Sequence, residues 1–191
     1  MSPKGRPEGE PAPMRASAVG RPGNAPAARI AFGQPDDAPA LAAMIRALAD
    51  YERLTHLCVA TEDDLRTALW GPEPAAEVLI ARVDTVPVGF ALFFQTFSTF
   101  LARRGLWLED LFVYPEQRGA GIGKALLRTV AGIARDRGCG RFEWSVLDWN
   151  APAIRFYEGL GATVMPDWRI ARVAGPAIGA LADGRAVPGP A

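Results

Sequence analysis

The stretch that most limits what this chain can fold into runs Val113-Tyr114-Pro115-Glu116-Gln117-Arg118-Gly119-Ala120-Gly121-Ile122-Gly123-Lys124. An extended apolar run ends here, three glycines alternate, and a helical pattern begins. Glycine lets a backbone come close to a ligand and turn its N–H groups inward, and the start of a helix adds positive potential. Arg118 adds a charged donor suited to phosphate. A glycine-rich loop can also merely turn the chain, but the flanking strand, the following helix and Arg118 favour a cradle for a pyrophosphate.

Two familiar phosphate loops do not fit. The Walker loop requires a hydroxyl residue after Gly-Lys, and Gly123-Lys124 is followed by Ala125. The dinucleotide fingerprint G-x-G-x-x-G/A fails at Lys124 when counted from Gly119, and at Leu126 when counted from Gly121.

The remainder of the chain frames this loop. Residues 1–28 hold six prolines and four glycines, and their only apolar side chains larger than alanine are Met1, Met14 and Val19. Such a segment cannot bury enough surface to offset its ordering entropy, so a disordered tail is expected there. A second flexible tail is expected over 175–191, leaving a folded domain of 29–174. A strand at Arg29–Phe32 leads to a helix with Asp36 or Asp37 as cap, Pro39 in the first turn and Leu41, Met44, Ile45 and Leu48 at helical spacing. A short helix follows over Glu62–Trp70, then strands Glu77–Val83, Val86–Thr96 and Leu106–Val113, the first two joined by a hairpin at Asp84-Thr85. The long helix Gly121–Arg137 carries the apolar stripe Ile122, Leu126, Val130, Ile133 and Ala134. A strand over Arg141–Leu147, a helix from Asn150 to Leu160 with Gly161 as its left-handed end, and a strand near Thr163–Val173 complete the reading. The order predicts an α/β (α+β) fold: a mixed sheet with helices on both faces.

Charge and composition exclude several partners. The chain has 21 Lys+Arg and 21 Asp+Glu, so no broad basic face for nucleic acid is expected. Apolar runs such as Phe90 to Phe94 are far short of the roughly 20 residues a membrane span needs. Cys58, Cys139 and the one histidine, His56, form no metal-ligand pattern, so no metal is expected. No apolar leader segment stands at the N-terminus, and the two thiols suit a reducing cytoplasm.

Arg-Gly-x-Gly-x-Gly after a strand, together with Tyr51-Glu52, Leu108-Glu109-Asp110-Leu111-Phe112-Val113, Trp149-Asn150-Ala151-Pro152 and Phe156-Tyr157, resembles the GCN5-related N-acetyltransferase (GNAT) superfamily, in its diamine (spermidine/spermine) acetyltransferase-like branch. The likeness runs from about Arg29 to Val173. It implies the acyl-CoA N-acyltransferase fold, with a mostly antiparallel sheet, and acetyl-CoA as the acetyl donor. Leu111, Phe112 and Val113 would bind the pantetheine arm through their backbone, and Arg118, Gly119, Ala120, Gly121, Ile122, Gly123 and Lys124 would hold the pyrophosphate. Asn150 and the helix start after it, with Ala153, would contact the coenzyme, and Tyr157 would sit beside its sulfur. Tyr51 and Glu52, with Glu109 and Asp110, would line the acceptor site. The resemblance also implies a homodimer.

The implied chemistry makes demands of its own. An aliphatic amine has a pKa of about 10.4 and arrives protonated. Glu109 is the candidate base, acting through a water, and Tyr157 the candidate acid for the departing sulfur. Backbone N–H groups near Leu111 suit the thioester oxygen. In a regular strand Trp107, Glu109, Leu111 and Val113 share one face and Leu108, Asp110 and Phe112 the other. Glu109 and Asp110 therefore meet at one amine only if a bulge intervenes. Neither cysteine lies in the motifs, so direct attack in a ternary complex is expected rather than a covalent route.

Polyamine enzymes of the family carry an acid and a tryptophan in the loop before this strand, where this chain reads Ser98-Thr99-Phe100-Leu101-Ala102-Arg103-Arg104. That change disfavours a polycation and favours a lysine analogue such as thialysine, whose carboxylate an arginine can pair. The two arginines suit solvent or the coenzyme's 3′-phosphate equally well. The competing expectations are an N-acetyltransferase for a drug or protein amine, and an acyl-CoA-binding module without catalysis.

Overall fold

The structure is a computed structural model that describes residues 17–19 and 28–186. The chain divides into two compact units, Met1–Ser145 and Val146–Ala191.

The first unit is built on a six-stranded sheet in sequential order: β1 (Ser17–Val19), β2 (Ala28–Phe32), β3 (Glu77–Val83), β4 (Val86–Ser98), β5 (Arg103–Val113) and β6 (Arg141–Trp144). Every pairing is antiparallel except β5 with β6. Asp84, at φ 54°, turns the chain between β3 and β4 where the hairpin was expected. Val78, Ile80, Phe90 and Phe112 pack with Leu41, Ala42 and Met44 of α1 (Ala38–Tyr51) and with Leu65 and Leu69 of α2 (Glu62–Trp70). Strand alternation leaves Leu79, Ala81 and Ala91, all fully buried, for the opposite face. There α3 (Ile122–Asp136) lays down Ile122, Leu126, Val130 and Ile133. Each fully buried side chain of this size contributes about 1.5–3 kcal/mol, so the two layers hold the sheet rigidly.

Local chemistry sets the helix ends. Thr61 accepts from the Asp64 N–H at 3.2 Å while the Asp64 carboxylate accepts from the Thr61 N–H at 3.0 Å, a capping box that starts α2. Arg137, just past α3, makes a bidentate pair with Glu77 at 2.6 and 2.7 Å and ties that helix end to the start of β3. Asp37 accepts from the Gln34 N–H at 2.8 Å and pairs with Arg82 of β3.

The second unit holds α4 (Ala151–Glu158) and α5 (Pro176–Ala182). Asn150 caps α4, its side chain accepting from the Ala153 N–H at 3.3 Å.

Several elements differ from expectation. No strand forms over 163–173: Pro166 removes a ladder donor from its middle, and Trp168, Ile170 and Val173 are exposed. β6 stops at Trp144 rather than Leu147, and α4 ends at Glu158, with Gly161 left-handed (φ 91°) three residues later. β1 falls inside the segment 1–28 and α5 inside 175–191, so neither segment is wholly without regular structure. The other residues of 1–27, and 187–191, lie outside the described residues.

Candidate active site

The decisive feature of β5 is a register shift. Leu92 of β4 opposes Asp110 and Phe93 opposes Leu108, so Glu109 is an extra residue with no partner across the ladder. A bulge of this kind breaks the alternation of faces. Asp110 now lies opposite Leu92, and Phe112 opposite Phe90, on the face covered by α1. Glu109 joins that side, because its Oε2 accepts from the Trp107 indole N–H at 2.9 Å and Trp107 opposes Phe94. The two acids that strict alternation separates are thus neighbours. Leu111, opposite Ala91, is left on the other face.

Burial and mutual repulsion act on this pair. Desolvation pushes the Asp110 carboxyl up to about 6, with the charges of Glu109 and Glu52 adding to the rise. Glu52 caps the C-terminus of α1, and its own partial burial raises its carboxyl above the usual range. Glu52, Glu109 and Asp110 therefore form one acidic cluster, drawn from the end of a helix and the bulge of a strand.

Beside the bulge the sheet opens. β6 pairs only with Gly105–Leu108 of β5, so the backbone from Glu109 to Val113 has β4 on one edge and, among the described residues, no strand on the other. Val113 then leads through a short 3-10 turn at Pro115–Gln117 into the glycine loop. Gly119 and Gly121 have φ of 77° and 80°, a region disfavoured for other residues, and a Cβ on Gly119 would meet nothing within 4 Å. Gly121 caps α3 without any side-chain hydrogen bond to the helix start. An exposed loop with two left-handed glycines before a helix start that no side chain caps fits a bound pyrophosphate. Arg118 Nε donates to the Val113 carbonyl at 2.9 Å, and its guanidinium stacks on the Tyr51 ring, 4.9 Å from the centroid.

In the second unit Asn150 and Ala153 are joined by the helix cap, and the Tyr157 ring lies 5.3 Å from that of Phe156. Among the described residues no group of His, Cys, Asp and Glu is disposed to hold a metal ion, and no helix is long and apolar enough to cross a membrane. The two loop arginines part company: Arg103 opposes Ser98 and Arg104 opposes Phe97 on the other face, where it donates to Gln95 at 3.4 Å.

Residues 41–162 match the acetyltransferase (GNAT) family. The chain belongs to that family. It is 34% identical over 198 residues to an L-ornithine N5-acetyltransferase of Arabidopsis thaliana, an alignment covering 80% of this chain and 87% of the relative. It is 38% identical over 150 residues to a thialysine N-epsilon-acetyltransferase of Sus scrofa, covering 73% and 88%. Among solved structures, an integron cassette protein from the mobile metagenome of V. cholerae superposes with a TM-score of 0.69 at 25% identity, covering 81% of this chain and 97% of that one. As a GNAT protein the chain is an N-acetyltransferase, and acetyl-CoA is the donor that the family implies.

Two features beside these acids have no signal in the sequence: the Trp107 indole bond to Glu109, and the left-handed backbone of Arg53 at φ 62°.

Proposed function

We propose that this enzyme transfers the acetyl group of acetyl-CoA to the side-chain amine of a small amino acid of the ornithine or lysine type, thialysine included, by direct attack in a ternary complex. The observation that carries this reading is the bulge at Glu109, which gathers Glu52, Glu109 and Asp110 beside the open edge of β5. Three acids in one place attract an ammonium group, and the relatives named for ornithine and thialysine act on amino acids that carry one.

The donor supplies an activated thioester. Val113 and the other β5 residues at the open edge offer main-chain groups to its pantetheine arm, and the Arg118–Lys124 loop takes its phosphates. Backbone N–H groups near Leu111 polarise the thioester oxygen. Glu109, working through a water, accepts the proton of the ammonium, and Asp110, titrating near 6, keeps a negative charge beside it at neutral pH. The freed nitrogen bonds to the carbonyl carbon and the carbon–sulfur bond breaks. The Tyr157 phenol, in the role the family resemblance implies, gives its proton to the departing thiolate, and the surplus proton on the acylated nitrogen returns to that phenolate, leaving amide, free thiol and neutral Tyr157. The resemblance to the family assigns Asn150 and Ala153 a contact with the coenzyme. Two free thiols, Cys58 and Cys139, suit work in the cytoplasm, and a homodimer is part of the same reading.

The test follows CoA release with ornithine, lysine, thialysine, spermidine, simple diamines and an aminoglycoside under identical conditions. An amino acid is expected to give the highest kcat/KM. Spermidine leading by a wide margin would overturn the choice of acceptor.

A further inference from the structure

The C-terminus of α1 closes in a tight turn. The Leu54 N–H bonds to the Ala49 carbonyl at 2.8 Å and the Arg53 N–H to the Asp50 carbonyl at 3.0 Å, the paired bonds of a Schellman motif. That motif needs a left-handed residue at the position of Arg53, which has φ 62°. Glycine is the residue suited to this conformation, and a side chain there costs folding stability. Strain of this kind clusters at functional sites.

The surroundings indicate that use. Arg53 is exposed, and none of the ion pairs among the described residues includes it. Glu52, the residue before it, is close enough to Asp110 to raise its pKa. The turn that carries Glu52 to the acidic cluster therefore carries a permanent cation next to it. Arg103, by contrast, stands about 20 Å along the strand from Glu109, at about 3.3 Å per residue. Arg104 lies on the other face, bonded to Gln95.

Resting on the acetyl-transfer reading above, we propose that Arg53 is a specificity residue that binds the α-carboxylate of the acceptor amino acid, while the acceptor's distal amine occupies the cluster of Glu109 and Asp110. Glu52 and Arg53 together complement a zwitterionic head group: the acid attracts its ammonium and the guanidinium pairs its carboxylate. A diamine of the same length lacks the carboxylate and gains nothing from Arg53.

The experiment compares ornithine with 1,4-diaminobutane, which differ only by that carboxylate, in the wild type, Arg53→Gln and Arg53→Gly. The ratio of kcat/KM for ornithine over diaminobutane is expected to fall about tenfold in both variants, through the KM for ornithine. Arg53→Gly, which relieves the left-handed residue, is expected to melt above the wild type, so a lost ratio in that variant cannot come from misfolding. An unchanged ratio in variants of an active enzyme overturns the role of Arg53 alone. A wild type that acetylates neither these two compounds nor lysine or thialysine overturns the acetyl-transfer reading as well.

Discussion

Arg118 of the glycine loop and Tyr51 at the end of α1 are stacked, guanidinium on ring, at 4.9 Å, while Arg118 Nε is held by the Val113 carbonyl. The last residue of α1 thus supports the side chain proposed to face the coenzyme phosphates. Tyr51→Leu removes the ring and a contact worth about 0.5–1 kcal/mol, and should weaken CoA binding two- to fivefold, about what that energy gives. Tyr51→Phe keeps the ring and should bind CoA more tightly than Tyr51→Leu. Calorimetric titration with CoA reads both, and equal affinity for Tyr51→Leu would refute the coupling.

Trp107 holds Glu109 through its indole N–H. A hydrogen bond to a charged group is worth about 1.5–3 kcal/mol, and its loss lets the carboxylate move within the bulge. Trp107→Phe should therefore lower kcat about tenfold while CoA affinity stays unchanged. A kcat equal to that of the wild type would show that the Trp107 bond does not position Glu109 for proton transfer.

Asp110 is the group expected to connect activity to pH. Its carboxyl titrates at about 6 in the folded protein against an ordinary 3.8, so between these values the folded state keeps a proton that the unfolded chain has lost. Stability therefore falls as pH rises from about 4 to 6, and the deficit persists above pH 6. Asp110→Asn should melt several degrees higher at pH 7.5, a gain on the order of 2 kcal/mol, with the difference vanishing below about pH 4. The same substitution should abolish the acid limb of kcat/KM near pH 6. A limb that survives in Asp110→Asn belongs to another group.

Two glycines on either side of the α3 start make a matched pair. Gly119, with φ 77°, cannot take a side chain without strain, so Gly119→Val should cost about 1–2 kcal/mol and weaken CoA binding at least tenfold. Gly132 lies inside α3, where a Cβ meets nothing within 4 Å, and Gly132→Ala should add about 0.5–1 kcal/mol without altering kcat/KM. Thermal melts and CoA titrations of the two variants check this, and identical CoA binding by Gly119→Val would count against the loop.

The parts of the fold written in local chemistry were legible. α2 spans Glu62–Trp70 as expected because Thr61 and Asp64 mark its start and Gly71 its end, and the Asp84-Thr85 hairpin followed from turn residues between two apolar runs. The glycine loop was legible for the same reason. What depends on pairing was not. The bulge at Glu109 is a relation between β5 and β4, and a strand read alone shows only alternation, which puts Glu109 and Asp110 on opposite faces. The stack of Arg118 on Tyr51 joins residues far apart in the chain, and neither residue type signals it. The run Thr163–Val173 has β-branched residues enough to suggest a strand, yet a strand also needs a neighbour, and Pro166 interrupts the donors that would reach one.

Because a single inserted residue decides which way the acids face, this site depends on counting as much as on chemistry. A related chain could keep Leu-Glu-Asp-Leu letter for letter and lose one residue earlier in β5. Its ladder would then close, and one of the two carboxylates would turn to the α3 side. Such a protein would score as identical at both acids and yet present only one of them to an amine. Among relatives of this enzyme, the length of β5 is therefore itself a functional character, inherited or lost independently of the residues it carries.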